Sequence, residues 1–113
     1  METKQPKAAI YIRCARDEKA AAEEQRKECM QYIERKGYKF AGEYIDMGAS
    51  GLQSIRRALD AMTIDAHIGE IDRIVVVSMS RLTRSAKDAA AFCHDLRESC
   101  GVTIESVEGS VLQ

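Results

Sequence analysis

An unbroken apolar run, Ile74–Val77, places the strongest constraint on how this chain can fold. Its four consecutive β-branched residues predict a strand that is buried on both faces, which is typical of parallel sheets covered by helices. A second short apolar run, Ala8–Ile12, ends directly in Arg13. Because parallel sheets bind ligands at the carboxyl ends of their strands, we expect Arg13 to stand at a functional edge.

The remaining segments alternate between helical and extended patterns, with Gly37, Gly69 and Gly101 ending the helices. After the first strand, the pattern predicts helices over Glu18–Arg35, Arg56–Ile68 and Ala86–Cys100, and strands over Tyr38–Asp46, Asp72–Ser78 and Val102–Val107. The apolar positions of the second helix are Leu59, Met62, Ile64 and Ile68. This order predicts an α/β fold, with a mainly parallel sheet of four to five strands and helices on both faces.

Length and composition exclude several classes of protein. A chain of 113 residues is one domain, and its formal net charge of -1 means that any basic patch must be local. No apolar stretch approaches the ~20 residues that cross a bilayer, and the polar segment Met1–Lys7 is not a signal peptide. The four cysteines lack CxxC spacing, which favours free thiols in a cytoplasmic protein over a metal site.

Arginines follow two of the predicted strands. Arg13, Arg81 and Arg84 each offer five donors in a fixed fork and stay charged, which suits a phosphate group. Arg56 opens a helix behind the Gly-rich segment Met47–Ser54, where backbone N–H groups add to anion affinity. Any one arginine alone would more simply pair with a surface acid, whereas several on one edge favour an anion site. No dinucleotide or P-loop glycine motif occurs, so no cofactor and no metal are expected.

Three segments together resemble the serine recombinases, the resolvase/invertase family of DNA strand-exchange enzymes. Tyr11–Ala15 is similar to the family's Tyr-x-Arg-Val-Ser signature, and Ser80–Arg84 to its [Asp/Ser]-Arg-Leu-x-Arg segment. Asp46–Gly51 with the downstream Arg56 is similar to its Asp-x-Gly-x-Ser-Gly segment, and Gln25 with Arg26 matches a Gln-Arg pair usual in the first helix. The likeness runs from about Ala8 to Glu108 and is closest to the large members of the family.

The resemblance implies a chemistry. In this family a serine hydroxyl attacks a DNA phosphodiester, leaving a 5′ phosphoserine link, and arginines hold the phosphate without metal or nucleotide cofactor. The subunits of a tetramer then exchange strands. By position, the phosphate-binding residues would be Arg13, Arg81 and Arg84, supported by Arg56 and Gln25, with Asp46, Ser50 and Gly51 shaping the mobile loop. Asp46 would either orient an arginine or cap that loop.

The chain departs from the family at the nucleophile. Ala15 stands where the family has Ser, and alanine has no atom that can attack phosphorus. The adjacent Cys14 should face the core, because neighbours on an extended strand point to opposite faces. We therefore expect that the chain as written does not cleave DNA.

The resemblance also implies parts that this chain is expected to lack. We expect a single catalytic-type domain over residues 1–113, without the family's C-terminal dimerisation helix and DNA-recognition domain. Such a chain would be a monomer or a weak dimer and would bind DNA weakly, through phosphates. Three readings stay open: a disarmed enzyme fragment, a natural non-catalytic relative that binds DNA or an active recombinase and regulates it, and a small domain that binds a phosphate-bearing ligand.

Overall fold

A computed structural model describes residues 5–14, 18–47, 57–81 and 86–108. In these parts of the chain, strands and helices alternate in the order β1 Lys7–Cys14, α1 Lys19–Lys36, β2 Lys39–Met47, α2 Arg57–His67, β3 Arg73–Val76, the 3-10 helix Met79–Arg81, α3 Ala86–Cys100 and β4 Thr103–Ser106. The order agrees with the pattern read from the sequence. Most boundaries differ by a single residue, whereas β3 ends at Val76, two residues before the predicted Ser78.

The strands form one parallel sheet in the order β2-β1-β3-β4. The prediction of a mainly parallel α/β sheet is confirmed, with four strands in the described residues. β1 is an interior strand, since Ile10 lies opposite Glu43 of β2 on one side and Val75 of β3 on the other. Arg13 therefore stands at the end of a strand that is held on both sides.

Helices cover both faces of the sheet. α1 packs on the face to which Ile10, Ile12 and Val75 point, and α2 and α3 pack on the face of Tyr11 and Ile74. The Ile74–Val77 run is buried throughout, as expected for a strand between two helical layers. Fully burying side chains of this size contributes about 1.5–3 kcal/mol each, so this run is a large part of the core.

The helix α1 forms because its 18 residues contain no Gly or Pro and place small and apolar side chains at helical spacing. Gly37 ends it in the left-handed conformation, at φ 75°, where glycine carries no Cβ penalty. The backbone N–H groups of Gly37 and Tyr38 then close on the carbonyls of Glu34 and Ile33.

The orientation of α2 corrects the sequence-based interpretation. Met62 and Ala66 form its buried face, with Leu59 half-buried beside them. Ile64 and Ile68 were expected among the apolar core positions, yet they are 61% and 64% exposed. At 100° per residue, positions 64 and 68 lie on the side of the helix opposite positions 62 and 66. The small Ala66, rather than a large residue, lets the helix approach the sheet.

The four cysteines are free, with Cys14 and Cys29 buried and Cys93 and Cys100 half-buried. Within the described ranges, no group of His, Cys, Asp and Glu side chains could hold a metal ion. None of the helices in those ranges is long and apolar enough to cross a membrane.

Candidate functional site

The carboxyl ends of β1, β2 and β3 meet at one edge of the sheet. Arg13 lies at the end of β1, directly opposite Asp46 of β2. β3 leads within three residues to the 3-10 helix Met79–Arg81, which contacts β1. The 3-10 helix that contains Arg81 therefore lies at the same edge of the sheet as Arg13.

Other residues of the predicted site cannot be located on this edge. Ala15, Ser50, Gly51, Arg56 and Arg84 lie outside the described residues, as does the side chain of Arg81. Their roles stay predictions from the sequence.

Asp46 joins three elements at this edge. Its carboxylate is buried and accepts the hydroxyl of Tyr11 at 2.8 Å. It also accepts the backbone N–H groups of Ala58 and Leu59, at 2.9 and 3.1 Å. Those groups belong to the first turn of α2, where a negative charge is stabilising. Asp46 thus caps the first turn of α2.

This capping removes two backbone N–H groups from the donors that the sequence suggested for an anion site. The sequence suggested that backbone N–H groups at the start of the second helix would add to phosphate affinity. The N–H groups of Ala58 and Leu59 already bind Asp46, so they are not available to a phosphate.

Gln25 reaches the end of β1 from the inner face of α1. Its side chain is 5% exposed, and Nε2 donates to the backbone carbonyl of Arg13 over a long 3.4 Å. Its Oε1 finds no donor among the described residues. A buried acceptor without a donor costs about 1–3 kcal/mol, and such groups in native structures call for an explanation. Gln25 therefore places a buried acceptor atom, Oε1, that has no donor among the described residues close to the end of β1 that carries Arg13.

Cys14 faces away from this edge, as predicted. It is 4% exposed, lies in the core cluster beneath α1, and its thiol contacts the carbonyl of Glu18 at 3.7 Å. A thiol held in that cluster is poorly placed to attack a bound phosphate.

Two polar clusters were not found from the sequence. The first is the Tyr11–Asp46 pair at the carboxyl edge. The second surrounds the buried Glu105 of β4, which accepts the hydroxyls of Tyr32 at 2.6 Å and Tyr38 at 2.7 Å and lies 3.5 Å from Nε of Arg73. Burial, with the bond to Glu105, raises the pKa of both tyrosines. The only signal in the sequence was an acidic residue, Glu105, inside a predicted strand.

The Glu105 cluster has a structural role. Tyr38 precedes β2 and Arg73 begins β3, so the cluster lies toward the amino-terminal edge of the sheet, away from Arg13. The partners are 67 and 73 residues apart in sequence. The cluster therefore ties α1 and β4 together at the end of the sheet that is not the candidate site.

Comparison with known families agrees with this geometry. The family model described as the N-terminal domain of resolvase matches residues 8–112. No curated protein matches the chain.

Solved structures give the same result. The N-terminal catalytic domain of TP901-1 integrase is 27% identical, with a TM-score of 0.80 over 92% of this chain and 78% of that one. The C-terminal catalytic domain of ISC1926 TnpA, an IS607-like serine recombinase, is 30% identical, with a TM-score of 0.79 over 92% and 71%. A resolvase family site-specific recombinase from Streptococcus pneumoniae is 26% identical, with a TM-score of 0.80 over 95% and 75%. The chain therefore belongs to the serine recombinase (resolvase) family and has the fold of its catalytic domain.

Proposed function

We propose that this chain is a serine recombinase catalytic domain that binds a DNA phosphodiester at the carboxyl edge of its sheet and does not cleave it. The supporting observation is the topology, since Arg13 stands one residue before the end of β1, and the 3-10 helix Met79–Arg81 follows β3 at the same edge of the sheet. Family membership supplies the substrate class.

The proposed chemistry follows from the residues at this edge. Guanidinium groups donate to the non-bridging phosphate oxygens and offset the charge that develops as phosphorus is attacked. In a competent relative, a serine oxygen bonds to phosphorus, the bond to the 3′ oxygen breaks, and that oxygen leaves as a hydroxyl with the proton that serine loses. Ala15 has no oxygen that could attack phosphorus, so this chain binds the phosphodiester without cleaving it.

The decisive experiment restores the nucleophile. We would introduce Ala15→Ser, together with any continuation that the gene encodes after Gln113, and incubate the protein with the DNA that flanks the gene. We expect a covalent protein–DNA adduct that survives denaturation and forms neither with the unchanged chain nor with Ala15→Ser/Arg13→Ala. An Ala15→Ser protein that binds this DNA but forms no adduct would overturn the proposal that the edge is an active site lacking only its nucleophile.

Binding through phosphates alone makes the affinity for DNA depend on salt concentration in a characteristic way. Three or four arginine contacts predict that log K falls with log salt at a slope of roughly −3 to −4, without sequence preference. Arg13→Ala should reduce that slope by about one unit. Lys36→Ala, which removes an exposed cation on α1 away from this edge, should leave the slope unchanged.

Ala15 also favours a second candidate, a natural non-catalytic relative that binds DNA or an active recombinase and regulates it. Titrating this chain into a recombination reaction run by an active member of the family would test it. Inhibition or stimulation at stoichiometric amounts would support regulation, and no effect would exclude it. A serine codon at position 15 of the source gene would favour the disarmed enzyme instead.

A further inference from the structure

The outer strand β2 has one face that α1 leaves open. Ile45 and Met47 lie opposite Ile12 and Cys14 of β1, which pack beneath α1. Paired residues of parallel strands share a face of the sheet, so the side chains of Ile45 and Met47 point to the α1 side. They are nevertheless 37% and 40% exposed, and Phe40 of the same strand is 41% exposed. α1 therefore covers the interior of the sheet and leaves an apolar row on β2 uncovered.

A groove of about 830 Å³ runs between α1 and this face of β2, and we call it the α1–β2 groove. Its lining on α1 extends from Ala20 to Glu34, which is about 21 Å of helix at 1.5 Å per residue. Met30 lines the helix side, and Tyr38 and Phe40 line the strand side. Helices ordinarily cover both faces of a parallel sheet. The groove is therefore long enough, and apolar enough, for about four turns of another helix.

The charges along the groove indicate what kind of helix fits. Three exposed glutamates of α1 line it: Glu23, Glu24 and Glu34. Arg26 also lines it, but its Nε donates to the carboxylate of Glu43 on β2 at 2.6 Å, so these two charges pair with each other. Lys27 is the remaining cation among the lining residues that the structure describes. The groove is thus net acidic and complementary to lysine and arginine side chains.

We propose that the α1–β2 groove docks an amphipathic helix of another protein, one with an apolar stripe flanked by lysine or arginine. The stripe packs on Phe40 and continues over Ile45 and Met47, while the flanking cations lie beside the glutamates of α1. Helices that bind in grooves place apolar anchors at successive turns in this way. The contact lies on the α1 face of the sheet and does not depend on whether the carboxyl edge binds DNA.

A model peptide tests the chemistry of the groove. The probe is a fluorescent peptide of about 20 residues, made of leucine and lysine with the leucines at helical spacing. We expect it to bind the 113-residue chain with a dissociation constant on the order of 10 µM at low salt, and more weakly as salt rises. The same peptide with glutamate in place of lysine should bind about tenfold more weakly. Tighter binding of a peptide in which leucine and lysine alternate would show that an added strand occupies this side of the sheet, and would overturn the proposal.

Substitution of the apolar row locates the peptide. Phe40→Ser should weaken binding about tenfold, because it removes the apolar side chain that the groove and the open face of β2 share. Ile64→Ser is the matched control, since Ile64 is an exposed isoleucine of α2 outside the groove, and it should bind the peptide like the unchanged chain. Circular dichroism of both variants checks that they fold.

Charge variants at exposed positions test the groove without touching the core. Glu24→Gln/Glu34→Gln should weaken binding about fivefold at low salt and have little effect at high salt. Glu28→Gln/Glu98→Gln removes two exposed glutamates outside the groove and should change neither value. The proposal is wrong if the two double variants bind alike, or if Phe40→Ser binds as tightly as Ile64→Ser. It is also wrong if the amide resonance of Phe40 moves with protein concentration alone, because a second copy of the chain would then fill the groove.

Discussion

Asp46 is the single residue on which the architecture of the candidate edge most depends. One buried carboxylate accepts a tyrosine hydroxyl from β1 and two backbone N–H groups from α2, while its own backbone belongs to β2. Its charge also lies at the amino end of α2, where the helix dipole favours it. Removing it would leave three donors unpaired in or near the core.

We therefore expect Asp46→Ala to lower the free energy of unfolding by about 2–4 kcal/mol, and Tyr11→Phe to lower it by about 1 kcal/mol. The difference arises because Tyr11→Phe leaves the cap on α2 in place. Urea denaturation followed by circular dichroism measures both values. Equal losses for the two variants would mean that capping of α2 contributes nothing.

A substitution of Gln25 tests whether this residue serves DNA binding rather than the stability of the fold. Gln25→Met keeps the length of the side chain and removes a buried acceptor that has no donor in the described residues, at the cost of one long hydrogen bond to the carbonyl of Arg13. We expect its free energy of unfolding to be unchanged or up to about 1 kcal/mol higher, while DNA affinity falls. Gln31→Met, at an exposed position of α1, is the control and should change neither quantity. A loss of stability without a loss of affinity would make Gln25 an ordinary core residue.

The sequence predicted the placement of some of these residues but not the contacts of others. Alternation along a strand was enough to place Arg13 at the edge and Cys14 in the core. The partners of Asp46 on α2 could not be predicted, because they are backbone groups 12 and 13 residues away whose position depends on how α2 docks. The buried position of Gln25 was also hidden, since a polar residue in a charged helix is ordinarily solvated.

At the scale of elements, α2 shows what periodicity can and cannot predict. The spacing of Leu59, Met62, Ile64 and Ile68 identified a helix correctly. It could not identify the buried face, because apolar residues occur on two sides of this helix. Packing resolves the ambiguity through Ala66, whose small side chain lies fully in the core.

A matched pair of truncations tests this assignment. Met62→Ala should lower the free energy of unfolding by about 2–5 kcal/mol, because it opens a cavity between α2 and the sheet. Ile64→Ala should change it by no more than about 0.5 kcal/mol when measured on dilute protein. The comparison uses thermal or urea unfolding at low micromolar concentration. A similar loss for both variants would contradict the exposed position of Ile64.

At the scale of the whole molecule, the buried thiol of Cys29 and the half-buried phenol of Tyr44 favour the folded state while they are protonated. Burial raises the pKa of the Cys29 thiol from 9.0 to about 12. Burial, followed by the hydrogen bond to Asp65, raises the pKa of Tyr44 from 10.0 to about 12. The unfolded chain therefore loses these protons at a lower pH than the folded chain does. The resulting stabilisation is complete below pH 9 and is lost as the pH rises toward 12.

We expect the free energy of unfolding to be level between about pH 7 and 8.5 and to fall steadily above about pH 9. Cys29→Ala should make the decline shallower, whatever its effect on stability at neutral pH, because one of the titrating groups is gone. Urea titrations across this pH range measure the slope. An unchanged slope in Cys29→Ala would show that the thiol does not contribute.

The general architecture was largely predictable at this scale. Gly37, Gly69 and Gly101 ended helices where expected, and the Ile74–Val77 run identified a strand between two layers. Strand order and the Glu105 cluster were not predictable, since both depend on contacts between residues far apart in sequence.

The interior position of β1 has a consequence for how this protein is made. β1 leaves the ribosome well before β3, yet β3 is one of its two sheet neighbours and begins only at Arg73. Until β3 has emerged, the nascent chain carries an apolar strand with one unpaired edge, which is a template for misassociation. Fragments that end before β3 should therefore be insoluble rather than smaller versions of the domain. Chaperones that hold extended apolar segments should be needed mainly during that interval of synthesis.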